Sequence, residues 1–125
     1  MIYGVGIDLV EVYRVQRLLD RWGDKFIKRC FSPLEIVYCG RKENAAMHYA
    51  ARFAVKEAFL KCLGIGLVGG VSMRDIGVVR TAWTKPELLV KGKALSLMNE
   101  KGILSVSFSM SHSKEYAAAI VTLEM

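Results

Sequence analysis

The chain has 125 residues, 53% of them hydrophobic, enough for one packed domain spanning residues 1–125. No run approaches the roughly 18 uninterrupted apolar residues of a membrane span, and the opening residues lack the basic segment of a secretory signal, so a cytoplasmic protein starting at or near Met1 is expected. Eighteen Lys and Arg against twelve Asp and Glu leave a formal charge of +6, which calls for an anionic partner without choosing among nucleic acid, nucleotide and acidic protein.

Residues 2 to 9 alternate as a strand, with Tyr3, Val5, Ile7 and Leu9 on one face and Gly4, Gly6 and Asp8 on the other. Residues 11 to 22 read as an amphipathic helix: Val12, Val15, Leu18, Leu19 and Trp22 share one side, Arg14, Arg17 and Arg21 another, and Gly23 ends it. Ser32-Pro33-Leu34-Glu35 is a helix start with a capping box, and that helix stops near Gly40. The longest helical signal runs from about Asn44 to Leu63, closed by Gly64. A glycine-rich connection (Gly64, Gly66, Gly69, Gly70) follows, then short strands over 74 to 80 and 87 to 91 around Thr84-Lys85-Pro86, and a brief helix over 93 to 100. Leu104, Val106, Phe108 and Met110 alternate with serines, and Tyr116 to Leu123 forms a second apolar run, predicting a closing hairpin. This order points to an α+β fold with an antiparallel sheet packed with one long and several short helices.

Three sets of residues could carry chemistry. Asp8 ends a face stripped to glycine, so a ligand or another element can approach its carboxylate closely; it also reads as a cap for the following helix, and the two roles are compatible. On the long helix, Arg52 and Lys56 point one way while Glu57 and Lys61 point another, with Ala50 and Ala54 leaving room beside the second stripe. An ordinary Glu-Lys surface pair at i,i+4 is the competing reading. The segment Ser111-His112-Ser113-Lys114-Glu115 gathers hydroxyls, an imidazole and an ammonium suited to phosphate oxygens, or simply makes a polar turn. Cys30, Cys39 and Cys62 form no C-x-x-C pair and read as buried thiols of a reducing compartment. No P-loop, nucleophile elbow or dinucleotide fingerprint occurs.

Four segments in order, Gly4-Val5-Gly6-Ile7-Asp8-Leu9-Val10-Glu11, Phe31-Ser32-Pro33-Leu34-Glu35, Arg52-Phe53-Ala54-Val55-Lys56-Glu57-Ala58-Phe59-Leu60-Lys61 and Ser109-Met110-Ser111-His112-Ser113-Lys114-Glu115-Tyr116, make the chain resemble the holo-acyl-carrier-protein synthase family of phosphopantetheinyl transferases nearly end to end. The resemblance implies the 4'-phosphopantetheinyl transferase fold and transfer of the phosphopantetheine arm of coenzyme A to a serine of an acidic acyl-carrier protein. It also implies Mg²⁺ held by Asp8 and Glu57, and coenzyme A phosphates met by Lys61 and the loop of Ser111, His112 and Ser113, with Arg52 contributing. Asp8, Glu57 and Lys61 would then be catalytic. A homotrimer with sites between subunits follows from the same resemblance. Glu57, a water on the cation and Glu35 stay open as acceptors of the serine proton, with the water first. Arg14, Arg17 and Arg21 suit docking of the acidic carrier protein, Arg14 alone standing in a family motif. No nucleic-acid or membrane partner is expected, and a small basic nucleic-acid-binding domain, recognised by tight and steeply salt-dependent binding, is the competing class.

Overall fold

The computed structural model describes residues 1–65, 70–80 and 85–125; the expected connection through Gly66 and Gly69 and the turn at Thr84 fall outside them. Strand β1 (Ile2–Glu11) leads into helix α1 (Val12–Trp22), and Gly23 at φ +51 breaks the chain into α2 (Asp24–Cys30). Helix α3 (Pro33–Gly40) opens on the expected capping box: the Glu35 amide donates to Ser32 Oγ at 3.3 Å and the Ser32 amide to Glu35 Oε1 at 2.9 Å. The long helix α4 (Ala45–Leu63) ends at Gly64, whose left-handed φ of +78 lets its amide satisfy the Leu60 and Lys61 carbonyls. A 3₁₀ turn at Met73–Asp75, strands β2 (Ile76–Val79) and β3 (Glu87–Val90), helix α5 (Gly92–Glu100) and strands β4 (Ser105–His112) and β5 (Tyr116–Glu124) follow.

The fold is α+β, as expected. One antiparallel sheet has the order β1-β5-β4, and β2 pairs with β3 in a second, smaller one. Helix α4 lies across the inner face of the larger sheet and is buried nearly all round, by the sheet on one side and by α1, α3 and β2 on others. That position explains its two polar stripes: one meets β1, the other lies against α3 and β2. Phe26, Phe31, Tyr49 and Phe53 pack as an aromatic cluster beside it, with Phe31 and Tyr49 centroids 4.7 Å apart.

Helix α2 is an element the sequence pattern passed over, because its seven residues include two Lys, one Arg and one Asp around a single buried Phe26. The sheet bears out the close approach expected at the glycine face of β1. The glycine face of β1 turns toward α4, while its apolar face is left bare: Val5, Ile7 and Leu9 are all more than half exposed, and Ile7 stands opposite the exposed Ile120 of β5.

Candidate active site

Gly6 determines how closely β1 and α4 approach: a Cβ at this position would overlap the Ala58 carbonyl oxygen, so the strand backbone rests directly on the helix backbone. Ala50, Ala54 and Ala58 of the same helix are all fully buried. Two residues on, Asp8 is only 8% exposed yet aims its carboxylate at the helix, where Lys61 donates to Asp8 Oδ1 at 2.8 Å and to the Ile7 carbonyl at 3.2 Å. The Asp8 hydrogen bond and charge raise the Lys61 ammonium above its ordinary value. Glu57, one turn back along the same helical stripe, is raised from 4.5, first by burial and then by the Asp8 carboxylate, while Arg14 and Lys61 pull it down. Two acids, one ammonium and one guanidinium from β1, α1 and α4 therefore interact within one small region. Asp8 does not cap α1, whose N-cap is Glu11 with no side-chain hydrogen bond.

The opposite stripe of α4 has a structural task. Lys56 is fully buried and donates to Glu35 Oε1 at 2.6 Å, to the Met73 carbonyl at 2.9 Å and to the Ile76 carbonyl at 2.6 Å; Glu35 also accepts from the Val78 amide at 3.0 Å. Burial lowers the Lys56 ammonium, and Glu35 opposes that shift. Glu35, one of three acceptors considered for a substrate proton, is thus sealed inside the protein with all its partners taken, and that reading is corrected.

Arg52 is 1% exposed, its guanidinium 4.3 Å from the centre of the Tyr38 ring and its Nη1 donating to the His48 carbonyl; its buried Nε has no partner among the described residues. The segment expected to grip phosphate does not converge as a unit. Ser111 and His112 are consecutive residues of β4 and so point to opposite faces, and the exposed Ser113 hydroxyl accepts from the Glu115 and Tyr116 amides of its own turn. His112 instead meets His48 of α4, ring centroids 5.0 Å apart. His48 went unnoticed in the sequence; its one signal was being the chain's only other histidine. Arg14, Arg17 and Arg21 do share a surface, a groove of about 760 Å³ that Tyr13 and Trp22 also line. Among the described residues no three His, Cys, Asp or Glu side chains gather as a metal cluster, so Asp8 and Glu57 are the carboxylates this region offers a cation.

Residues 4–121 match the family model for the 4'-phosphopantetheinyl transferase superfamily. The chain is similar to a holo-[acyl-carrier-protein] synthase of Syntrophus aciditrophicus, 46% identical over 99% of this chain and 97% of the relative, and to one of Geotalea daltonii, 44% identical over 99% of each. Its fold is similar to the crystal structure of the Neisseria meningitidis holo-[acyl-carrier-protein] synthase, with TM-score 0.88 and 40% identity over the whole of both chains. It is similar as well to the Helicobacter pylori holo-[acyl-carrier-protein] synthase in complex with coenzyme A, with TM-score 0.83 and 32% identity over 96% of this chain and 99% of the other.

Proposed function

This chain belongs to the 4'-phosphopantetheinyl transferase superfamily, and from that premise we propose how its residues divide the reaction. It is an enzyme of the holo-[acyl-carrier-protein] synthase type: it transfers the 4'-phosphopantetheine arm of coenzyme A to a serine of an apo acyl-carrier protein, with adenosine 3',5'-bisphosphate as the other product. The serine oxygen bonds to the phosphorus on the phosphopantetheine side of the diphosphate, and the bond from that phosphorus to the bridging oxygen breaks. Negative charge collects on the bridging oxygen, so the residues of the site must neutralise and position.

The observation that carries the assignment of roles is the meeting of Asp8, Glu57 and Lys61 over the Gly6 contact. Asp8 and Glu57 would hold the Mg²⁺ that the family implies. The donor chemistry fits: both are hard carboxylates, Asp8 raises Glu57 by repulsion, and Asp8 already draws a cation onto itself in the form of the Lys61 ammonium. When bound, Mg²⁺ supplies Lewis-acid neutralisation of the diphosphate. Lys61 is more than half exposed on a flexible stem, so its ammonium can leave Asp8 for a phosphate oxygen and stabilise the departing group. With Glu35 sealed away, Glu57 and a solvent water remain as acceptors of the serine proton, and the water leaves Glu57 free for the cation.

Assembly as a homotrimer with sites between subunits is what the family resemblance implies, and the bare apolar strip of Val5, Ile7, Leu9 and Ile120 supports self-association, since an apolar patch on an otherwise polar surface marks a contact. The Arg14, Arg17 and Arg21 groove suits an acidic carrier protein steered by charge, each domain of the assembly being one chain of residues 1–125. Free cysteines, with the Cys39 thiol pushed up to about 12 by burial, support a cytoplasmic setting. The test is intact mass of an apo carrier protein incubated with enzyme, coenzyme A and Mg²⁺. The carrier gains the phosphopantetheine arm; Asp8→Ala and Glu57→Ala abolish the gain, and undiminished transfer in excess chelator would overturn the metal assignment.

A further inference from the structure

The chain contains two histidines, and they touch. His48 lies in the first turn of α4 and His112 is the last residue of β4; their rings meet edge to face with centroids 5.0 Å apart and planes at 68°. Tyr38 of α3 packs against His48 in turn, centroids 5.9 Å apart, and the Tyr38 ring itself carries the Arg52 guanidinium at 4.3 Å and the Lys42 ammonium at 4.7 Å. Arg52 is also tied to His48 through the His48 carbonyl, and its buried Nε has no partner among the described residues. Every charge acting on His48 is therefore positive or becomes so on protonation: His112 from β4, Arg52 from α4 itself, and Lys42 from the connection ahead of it. The nearest carboxylates along the chain, Glu43 and Glu115, do not act on it.

A cluster of cations and protonatable rings without a carboxylate lacks a counter-ion, and the substrate of this enzyme carries phosphates. We infer that His48 joins His112 in one phosphate-binding clamp, in which the arriving phosphate draws a proton onto the histidine pair. The inference rests on the reading that His112 meets coenzyme A. Burial, and then the neighbouring His112, Arg52 and Lys42 charges, hold His48 below its ordinary 6.5 in the free protein. The sign follows: the pair resists a second proton until a phosphate offsets the repulsion, so binding takes up a proton and affinity rises as pH falls through the histidine range. His48 also fixes the ring plane of His112, which on an exposed strand end would otherwise turn freely.

The two-histidine composition makes the test direct. The imidazole C2–H signals of the whole protein, followed by NMR against pH, give one curve for each residue, with and without adenosine 3',5'-bisphosphate. The clamp predicts that both curves move to higher pH with the nucleotide, and that His112→Phe raises the midpoint of His48. Coenzyme A binding is then measured at about pH 5.5 and about pH 8. For the parent, affinity is roughly tenfold higher at the lower pH; in His48→Phe, which keeps the ring contact without the proton, that gain falls to the share His112 alone supplies. His48→Gln, polar but not protonatable, should match His48→Phe. If His112→Phe weakens coenzyme A and His48→Phe leaves both affinity and its pH dependence intact, the clamp is wrong and the His112 reading stands. If neither substitution alters affinity at either pH, the underlying reading falls as well. Dephospho-coenzyme A identifies the phosphate concerned: loss of the low-pH gain supports the 3'-phosphate, and retention supports the diphosphate.

Discussion

Removing the buried ammonium of Lys56 tests the account of how α3, α4 and β2 are held together. Lys56→Met keeps most of the stem volume and deletes three donated hydrogen bonds of 2.6, 2.9 and 2.6 Å. Glu35 is left as a buried carboxylate supported by two backbone amides, and the Met73 and Ile76 carbonyls lose their partner. Breaking a buried pair from one side costs about 3–5 kcal/mol. For 125 residues the unfolding entropy at about 2.1 cal/mol/K per residue amounts to about 0.26 kcal/mol/K, so the melting temperature should fall by about 11–19 °C. Calorimetry or circular dichroism at one fixed protein concentration measures it, because any self-association adds a concentration-dependent part. The double variant Lys56→Met with Glu35→Gln removes the orphaned charge and should recover a large share of the loss. A fall of only a few degrees, or a double variant whose loss equals the total of the two single losses, would refute the reasoning, since it would mean that the pair is not coupled in the interior.

Glu57, raised above 4.5 by burial and by Asp8, should put the acid limb of turnover above the ordinary carboxylate range. A raised carboxyl favours the folded state at low pH and loses that contribution as pH rises through its folded value, so added Mg²⁺, which pairs with the ionised form, should stabilise the protein more at neutral pH than below the limb; equal thermal shifts at both would contradict this. Ile120→Asp introduces a charge into the bare apolar strip and should shift the sedimentation profile to a monomer with transfer activity lost; an unchanged profile removes that face from the assembly. Arg14→Glu should slow modification of the carrier at low salt, with the deficit shrinking as salt is raised and coenzyme A binding altered little; carrier kinetics identical to the parent at low salt would remove the docking surface.

Local signals were read well from the chain. The Ser32-Pro33-Leu34-Glu35 start and the Gly64 stop each contain their own explanation within a few residues, and the closing hairpin follows from alternation alone. Long-range relations were hidden for a physical reason. Lys56 and Glu35 lie 21 positions apart, and nothing in either segment announces that one needs the other. The Glu57 and Lys61 stripe could be seen as separate from that of Arg52 and Lys56, yet not which of the two would be sealed. For β1, the glycine face marked where another element could come close without naming α4 as that element; the apolar face is bare because glycine, with no side chain, suits the helix contact better. His48 was invisible for a similar reason, since its partner stands on a different element at the far end of the sequence.

The seat of Gly6 on Ala58 carries a consequence for how this scaffold tolerates change. Where two elements are spaced by side chains, each altered volume in the interior moves them by fractions of an ångström; here main chain rests on main chain, and the gap has no adjustable filler. The reach from Asp8 to the helix is thereby insulated from drift elsewhere in the core. Changes among Leu, Val, Ile and Phe around the aromatic cluster would then cost packing energy while the carboxylates keep their spacing, whereas Gly6 cannot gain even a methyl group without meeting the Ala58 carbonyl.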